Sequence, residues 1–519
     1  MLLRCSFANA TGGLNTIFDE SALNPTAMVV AENMVIEPTG SRRKRGAQAY
    51  YNSSAITDTP TISGIWEYWK GGVAGAPAQK LICHTSDGKF FMADMDGVWN
   101  AAFGTGFQTS KIPCATIFED KIILSTSSTS DVPQMYDQTT LTALSTAPIF
   151  QWSLAAHNRL FVGGTPATPH RISYSNISDP TTWTGFGTGG IDIRPGDGDE
   201  KGVVGGTEYK DLIVIFKRDG IYRIQGFTPD EFTVGQIADS IGALSHRCIV
   251  KTENDVYFAS RKGFHSLSAT MEYGDVATKY VSFPIQNLWR DQLNQTTVAN
   301  WQATYHKNLN TIFITVSKSG SSTNNLILGY NVARDEWFTW PGVNAASLAT
   351  YLDPTTGKEY LISGGYSTGK AVLHDQSGYS DFSTTAYQFR LKTPYIQPGA
   401  SSTGEYSHDP AMIKGFNSIT IYAKSNGSHD NQVNYRIKGL GYKNAEFQCP
   451  ATGFVWGTGK WGDGKWGGTG VKMATIMVDG YGRGIQFDIV QGELAKSVEI
   501  LGYDIDYEPS AYAQRSDGR

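Results

Sequence analysis

Three groups of residues have types and spacings that could do chemistry. The first is the carboxylate set Asp197, Asp199 and Glu200 in Pro195-Gly196-Asp197-Gly198-Asp199-Glu200. Alternate carboxylates on a glycine-rich loop can hold calcium, and two converging carboxylates are all that a glycoside hydrolase needs. The full calcium-loop pattern is missing, and a solvated turn accounts for the same residues. The second group is the basic run Arg42, Arg43, Lys44 and Arg45, which could meet phosphates or a partner's acids. It reads as an oligomer or adaptor interface, with a solvated turn as the plainer alternative. The third is Trp456, Trp461 and Trp466, each followed by glycine at a period of five, in a glycine- and tryptophan-rich loop over 453–468. Its indoles could stack on sugars or bases, but a packing loop at a domain or subunit contact is the simpler reading.

Other catalytic signatures are missing from the sequence. There is no GxSxG elbow, no HExxH and no Walker loop. Gly185-Phe186-Gly187-Thr188-Gly189-Gly190 lacks the Lys-Ser/Thr ending that a phosphate loop needs. Cys5, Cys83, Cys114, Cys248 and Cys449 are odd in number, far apart and without a CxxC pair. They are expected to be reduced, buried thiols rather than a disulfide framework or zinc site. The expectation is therefore a protein that is not an enzyme and takes no cofactor and no metal.

The net charge of -5 lacks the basic surplus of a protein that grips duplex DNA. Neither a signal peptide nor an apolar run of about 18 residues is visible, so cytoplasmic synthesis without stable membrane insertion is expected. Gly is abundant, aromatics reach 12% and charged residues only 18%, a balance that favours strands over helices.

The elements that must position these groups follow from the hydrophobic pattern. From about Thr61 to Tyr379 the chain repeats short apolar strands and Asn, Asp or Gly turns at roughly 40–50 residues, the period of propeller blades. Turns are expected at Glu119-Asp120, His157-Asn158 and Asp219-Gly220. Continuous apolar strands such as Leu212–Phe216 suit blades covered on both faces. Trp337-Phe338-Thr339-Trp340 closes the sixth of about seven units. Ile285, Leu288, Trp289 and Leu293 share one face of an expected helix that Pro284 opens. Beyond about Phe382 the strands alternate with period two, as in Ser418–Ala423 and Val433–Ile437, the pattern of a half-buried sandwich. The expected fold is all-β: a propeller of six to eight blades over 61–381, with a β-sandwich platform formed by the N-terminal segment 1–60 and the C-terminal segment 382–519. A stack of sandwiches is the rival architecture.

Several segments together resemble structural proteins of tailed bacteriophages. They are Asn158–Thr165, His170–Ser175, Asp179-Pro180-Thr181-Thr182-Trp183, Ile191-Asp192-Ile193, Gly196–Asp199, Leu212–Lys217, Ile241-Gly242-Ala243, Asp255–Phe258 and Gly263-Phe264. The opening Gly12-Gly13-Leu14-Asn15, Ala31-Glu32-Asn33 and Gly40–Gly46 is similar to the start of the same proteins. The resemblance, which spans most of the chain, is to the tail nozzle or tail-tube proteins of short-tailed, podovirus-like phages. It implies a virion structural protein located in the tail. Such a protein forms a homo-oligomer, a hexamer, below the portal and adaptor, and extends the channel for DNA ejection. The implied partners are the adaptor or head-to-tail connector, tail fibre or spike proteins, and double-stranded DNA in transit. The alternative function is a propeller that binds or degrades glycans on a host surface.

Overall fold

The computed structural model describes residues 2–8, 12–71, 78–194, 202–273, 280–399, 406–425, 429–449 and 471–509. They divide into two compact units: 50–328 with 342–374, and 1–49 with 329–341 and 375–519. No helix among the described residues is long and apolar enough to cross a membrane.

The first unit is a seven-bladed β-propeller. Blade one holds Ile62–Lys70, Ala78–Thr85 and Lys89–Ala93, and blade two starts with Pro113–Phe118 and Lys121–Thr126. Blade three starts with Trp152–Ala156 and Arg159–Gly163, and blade four with Gly205–Tyr209 and Leu212–Phe216. Blade five holds Ile249–Lys251, Val256–Ala259 and Phe264–Ser266. Blades six and seven open with Gln302–His306 and Ser347–Leu352. Each blade is an antiparallel meander, and its first strand is the innermost. These seven first strands neighbour one another in chain order, and that of blade seven lies beside that of blade one, so the ring is closed.

The hairpins joining first and second strands explain how the blades twist. Glu119 and Asp120, His157 and Asn158, and Lys210 and Asp211 all have positive φ, between 47° and 62°. Two successive left-handed residues match the right-handed twist of the flanking strands. The second strands that follow carry apolar runs, Ile122–Leu124, Leu160–Val162 and Leu212–Phe216, because both faces are covered. Ile122 and Leu124 pack toward blade one with Tyr68 and Phe90, while Ile123 packs toward blade three with Leu160 and Val162. Ile213 and Ile215 face blade three, and Val214 and Phe216 face blade five.

The seam between blades seven and one is closed by the segment preceding blade one. The Tyr51 amide donates to the Ala371 carbonyl at 2.9 Å, and the Ala371 amide donates to Asn52 Oδ1 at 2.8 Å. Asn52 Nδ2 reaches the Gly369 carbonyl at 3.0 Å, and Ser347 Oγ donates to the Ile62 carbonyl at 2.9 Å.

The second unit is a β-sandwich to which both ends of the sequence contribute. One sheet runs in the order Met34–Ile36, Arg42–Lys44, Glu499–Pro509, Lys414–Lys424, Lys472–Gly482, and Leu3–Ala8 also pairs with Glu499–Pro509. The other holds Glu336–Pro341, Val30–Glu32, Phe389–Lys392, Ile485–Gln491, His429–Ile437 and Tyr442–Cys449 in that order. Phe487 and Tyr503, one from each sheet, meet edge to face at 4.8 Å. Burial alternates along His429–Ile437, as a half-covered strand requires.

Glu336–Pro341, which carries Trp337–Trp340, follows Gln302–His306, Thr311–Val316 and Leu326–Asn331 in one sheet order, as expected of the strand that closes the sixth unit; Thr339 also pairs in parallel with Glu32, and Trp340 Nε1 donates to the Met34 carbonyl at 2.7 Å. Two expectations change. The unit boundaries fall at 49/50 and 374/375 instead of 60/61 and 381/382. The expected helix after Pro284 is a 3₁₀ turn at Phe283–Ile285 followed by a π turn at Leu288–Gln292. Ile285, Leu288, Trp289 and Leu293 are all buried, so the apolar face survives the change of winding.

Candidate functional site

The chain enters each innermost strand from the same end of the propeller axis. Pro113, Gln151, Val204, Arg247 and Ala299, from the approaches to blades two to six, line one cavity of about 390 Å³ at this mouth. Gly164, Thr165, Pro166 and Arg218 extend its wall. Among the described residues, no Asp or Glu lines it.

Arg247 sits in a single 3₁₀ turn, His246–Cys248, whose Ser245 Oγ accepts from the Arg247 amide at 3.3 Å. Its guanidinium crosses the axis, donating to the Ser63 carbonyl of blade one at 2.9 Å and to Gln302 Oε1 of blade six. Gln302 Oε1 also accepts from the Leu348 amide of blade seven at 3.2 Å. Four blades are therefore tied through one cation that has only neutral acceptors. Burial without a carboxylate pushes its pKa down to about 10.

The neighbouring titratable groups are held neutral. Burial pushes His246 down to about 4, and its ring stacks on Trp152 with centroids 5.7 Å apart. His246 Nδ1 is buried and has no hydrogen-bond partner. His84, whose Nδ1 lies 2.7 Å from Ser63 Oγ, is pushed down to about 3 by burial. Burial raises the Cys114 thiol and takes Cys248 up to about 12, which leaves both poor nucleophiles. Cys5, Cys83, Cys114 and Cys248 are free and buried. The described residues of the mouth thus offer cations and neutral donors. Among the described residues, no three His, Cys, Asp or Glu side chains gather as a metal would require.

The expected interface role of the basic run needs correction. Arg42, Lys44 and Arg45 are at most 2% exposed within the sandwich unit and cannot face a neighbouring subunit. Arg42 pairs with Glu336 at 2.6 Å, and Arg45 makes a bidentate pair with Asp381 at 2.6 and 2.8 Å. The Arg45 guanidinium also lies 3.7 Å from the centre of the Tyr387 ring. Arg43, on the opposite face of its strand, bridges Glu37 at 2.6 Å and Asp375 at 2.8 Å and stays partly exposed. The run is an internal clamp because strand alternation sends its cations to carboxylates far away in sequence. Trp456, Trp461 and Trp466 lie outside the described residues, as do Asp197, Asp199 and Glu200.

Lys44 lacks a carboxylate of its own. Its Nζ donates to Gln491 Oε1 at 2.6 Å, and burial, with Arg45 adding repulsion, pushes its pKa down from 10.5 to about 8. Below pH 8 both folded and unfolded chains hold this proton, and the buried charge costs stability. Between about pH 8 and 10.5 the folded state has released a proton that the unfolded state keeps, so the Lys44 contribution rises with pH. Urea midpoints of the native protein measured against Lys44→Met should shift in favour of the native protein as pH goes from 7 to 9.5. A constant difference would refute the assignment.

Sequence reasoning overlooked Arg247, Arg218 and His246. His246–Val250 reads as the start of a strand, and no spacing marks residues that reach the axis singly from separate blades.

No protein-family model and no curated protein matches the chain. Among solved structures, YCF48 from Cyanidioschyzon merolae is 8% identical with a TM-score of 0.39, covering 63% of this chain and 98% of its own. YCF48 bound to D1 peptide is 7% identical with a TM-score of 0.38, covering 62% and 94%. BamB from Moraxella catarrhalis is 12% identical with a TM-score of 0.33, covering 64% and 97%. The seven-bladed closure rests on the strand order of this chain itself.

Proposed function

We propose that this chain is a structural subunit of a virion tail, a nozzle protein that forms a ring and extends the DNA-ejection channel of a short-tailed phage. The observation that carries the reading is the set of phage-like segments in the sequence. The longest of these, from Asn158 to Phe264, contribute to blades three, four and five. The architecture is compatible: a propeller inserted into a sandwich that draws on both ends of the sequence. Arg247 crosses the propeller axis, so a conduit for DNA would lie between subunits rather than through a propeller. A lumen lined by neutral or acidic residues would let phosphates slide, because Lys and Arg contacts bring strong affinity. The glycan-degrading alternative gains no support from the lining of the axial cavity, which holds no carboxylate among the described residues.

Native mass spectrometry and electron microscopy of the purified protein and of the virion test this reading. The expected result is a closed homo-oligomeric ring, sixfold, with a lumen about the width of duplex DNA or gated narrower, docked to an adaptor in the tail. A monomer in the particle would overturn it, as would release of sugars from host capsule by the purified protein.

A further inference from the structure

The axial mouth holds two guanidinium groups, of Arg247 and Arg218, with no carboxylate partner among the described residues. Arg42 and Arg45 each find a carboxylate, whereas Arg247 has only a carbonyl and an amide oxygen. Arg218, on the same cavity wall, makes no hydrogen bond or ion pair within the described residues and is half-buried. His246, also on the wall, keeps a buried Nδ1 without a partner. Ser127, Gln151 and Thr165 add neutral hydrogen-bonding groups to the lining.

We propose that this mouth is a binding site for a small oxyanion-bearing ligand, a phosphate or carboxylate compound held by Arg247 and Arg218. Guanidinium groups recognise planar or tetrahedral oxyanions through paired, charge-assisted hydrogen bonds. The cavity volume of about 390 Å³ suits one small molecule. The walls come from five successive blades, so a bound anion would cross-link the ring as Arg247 already does. The inference stands whether or not the chain assembles into a nozzle.

The test is calorimetric titration and thermal melting of the full chain with inorganic phosphate and, separately, with malonate, against sodium chloride at matched ionic strength. At least one of the two should bind saturably and raise the melting temperature, where chloride does not. Binding of phosphate alone would assign a phosphoryl ligand, and of malonate alone a carboxylate. Arg218→Gln should weaken binding by about tenfold or more while leaving the unliganded melting temperature nearly unchanged. Arg247→Gln should abolish binding. Because that variant also loses contacts between blades, the decision rests on Arg218→Gln. Failure of both anions to bind beyond the chloride control, or equal affinity in Arg218→Gln, overturns the proposal.

Discussion

Replacing Glu336 by Gln should destabilise the sandwich unit by about 3–5 kcal/mol, the usual cost of breaking a buried ion pair from one side. Glu336 and Arg42 are each 1% exposed, with Nη2 and Oε2 2.6 Å apart. Burial pushes the Glu336 carboxyl up and the Arg42 guanidinium down, and each group opposes the shift of the other. Removal of the carboxylate charge would leave a guanidinium in the interior without its ion-pair partner Glu336, while its bond to the neutral Gly40 carbonyl remains. The double variant Arg42→Met with Glu336→Leu should recover much of the loss, since apolar replacement of a whole buried pair is often neutral. Amide hydrogen exchange along Val30–Glu32 and Met34–Ile36 reads the effect on this unit alone. A loss below about 1 kcal/mol in the single variant would show that the pair is not isolated from water.

The substitution with the largest expected effect on the propeller is Gly364→Ala. A Cβ at this position would fall on the Ile62 carbonyl oxygen and against Ser347 Oγ. That carbonyl accepts from Ser347 Oγ, and the Ile62 amide donates to the Gly365 carbonyl at 3.1 Å, so the clash sits in the seam that closes the ring. One methyl there cannot be absorbed by rotating a side chain, because the obstacle is backbone. The expected cost is about 3 kcal/mol or more, the upper end for overpacking. Proteolysis and hydrogen exchange should report first at Ile62–Lys70 and Ser347–Leu352. Gly320→Ala is the control, since nothing lies within 4 Å of a Cβ there, although its φ of +83° adds modest strain. Equal stability of the two variants would refute the closure role.

Much of this architecture was legible in the sequence because it is local. The second strands of blades two to four carry continuous apolar runs, and the turn pairs Glu119-Asp120 and His157-Asn158 stand where the hairpins need them. The turn at Lys210-Asp211 was missed because Asp211 reads as the start of the apolar strand that follows. Trp337–Trp340 was legible as the strand that closes the sixth unit, but its second neighbour, Val30–Glu32, lies about 300 residues earlier and no short window shows it. The basic run shows the same limit more sharply. Four consecutive cations look solvated, and only the fold brings Glu336, Asp375 and Asp381 to them. Arg247 was illegible for a related reason: its importance lies in crossing an axis that no short window of sequence defines.

The seam also sets a timetable for synthesis. Asn52 waits for Ala371, 319 residues later in the chain, before the ring can close. At about 5–20 residues per second a ribosome needs roughly 15–60 s to cover that distance. During this interval the blades already made would stand as an open stack. The blade-one face that later meets blade seven, with Ile62, Ile65 and Leu81, would still lack its cover. The nascent chain is therefore a client for holding chaperones, and its yield should depend on translation speed and temperature more than the stability of the finished ring would suggest.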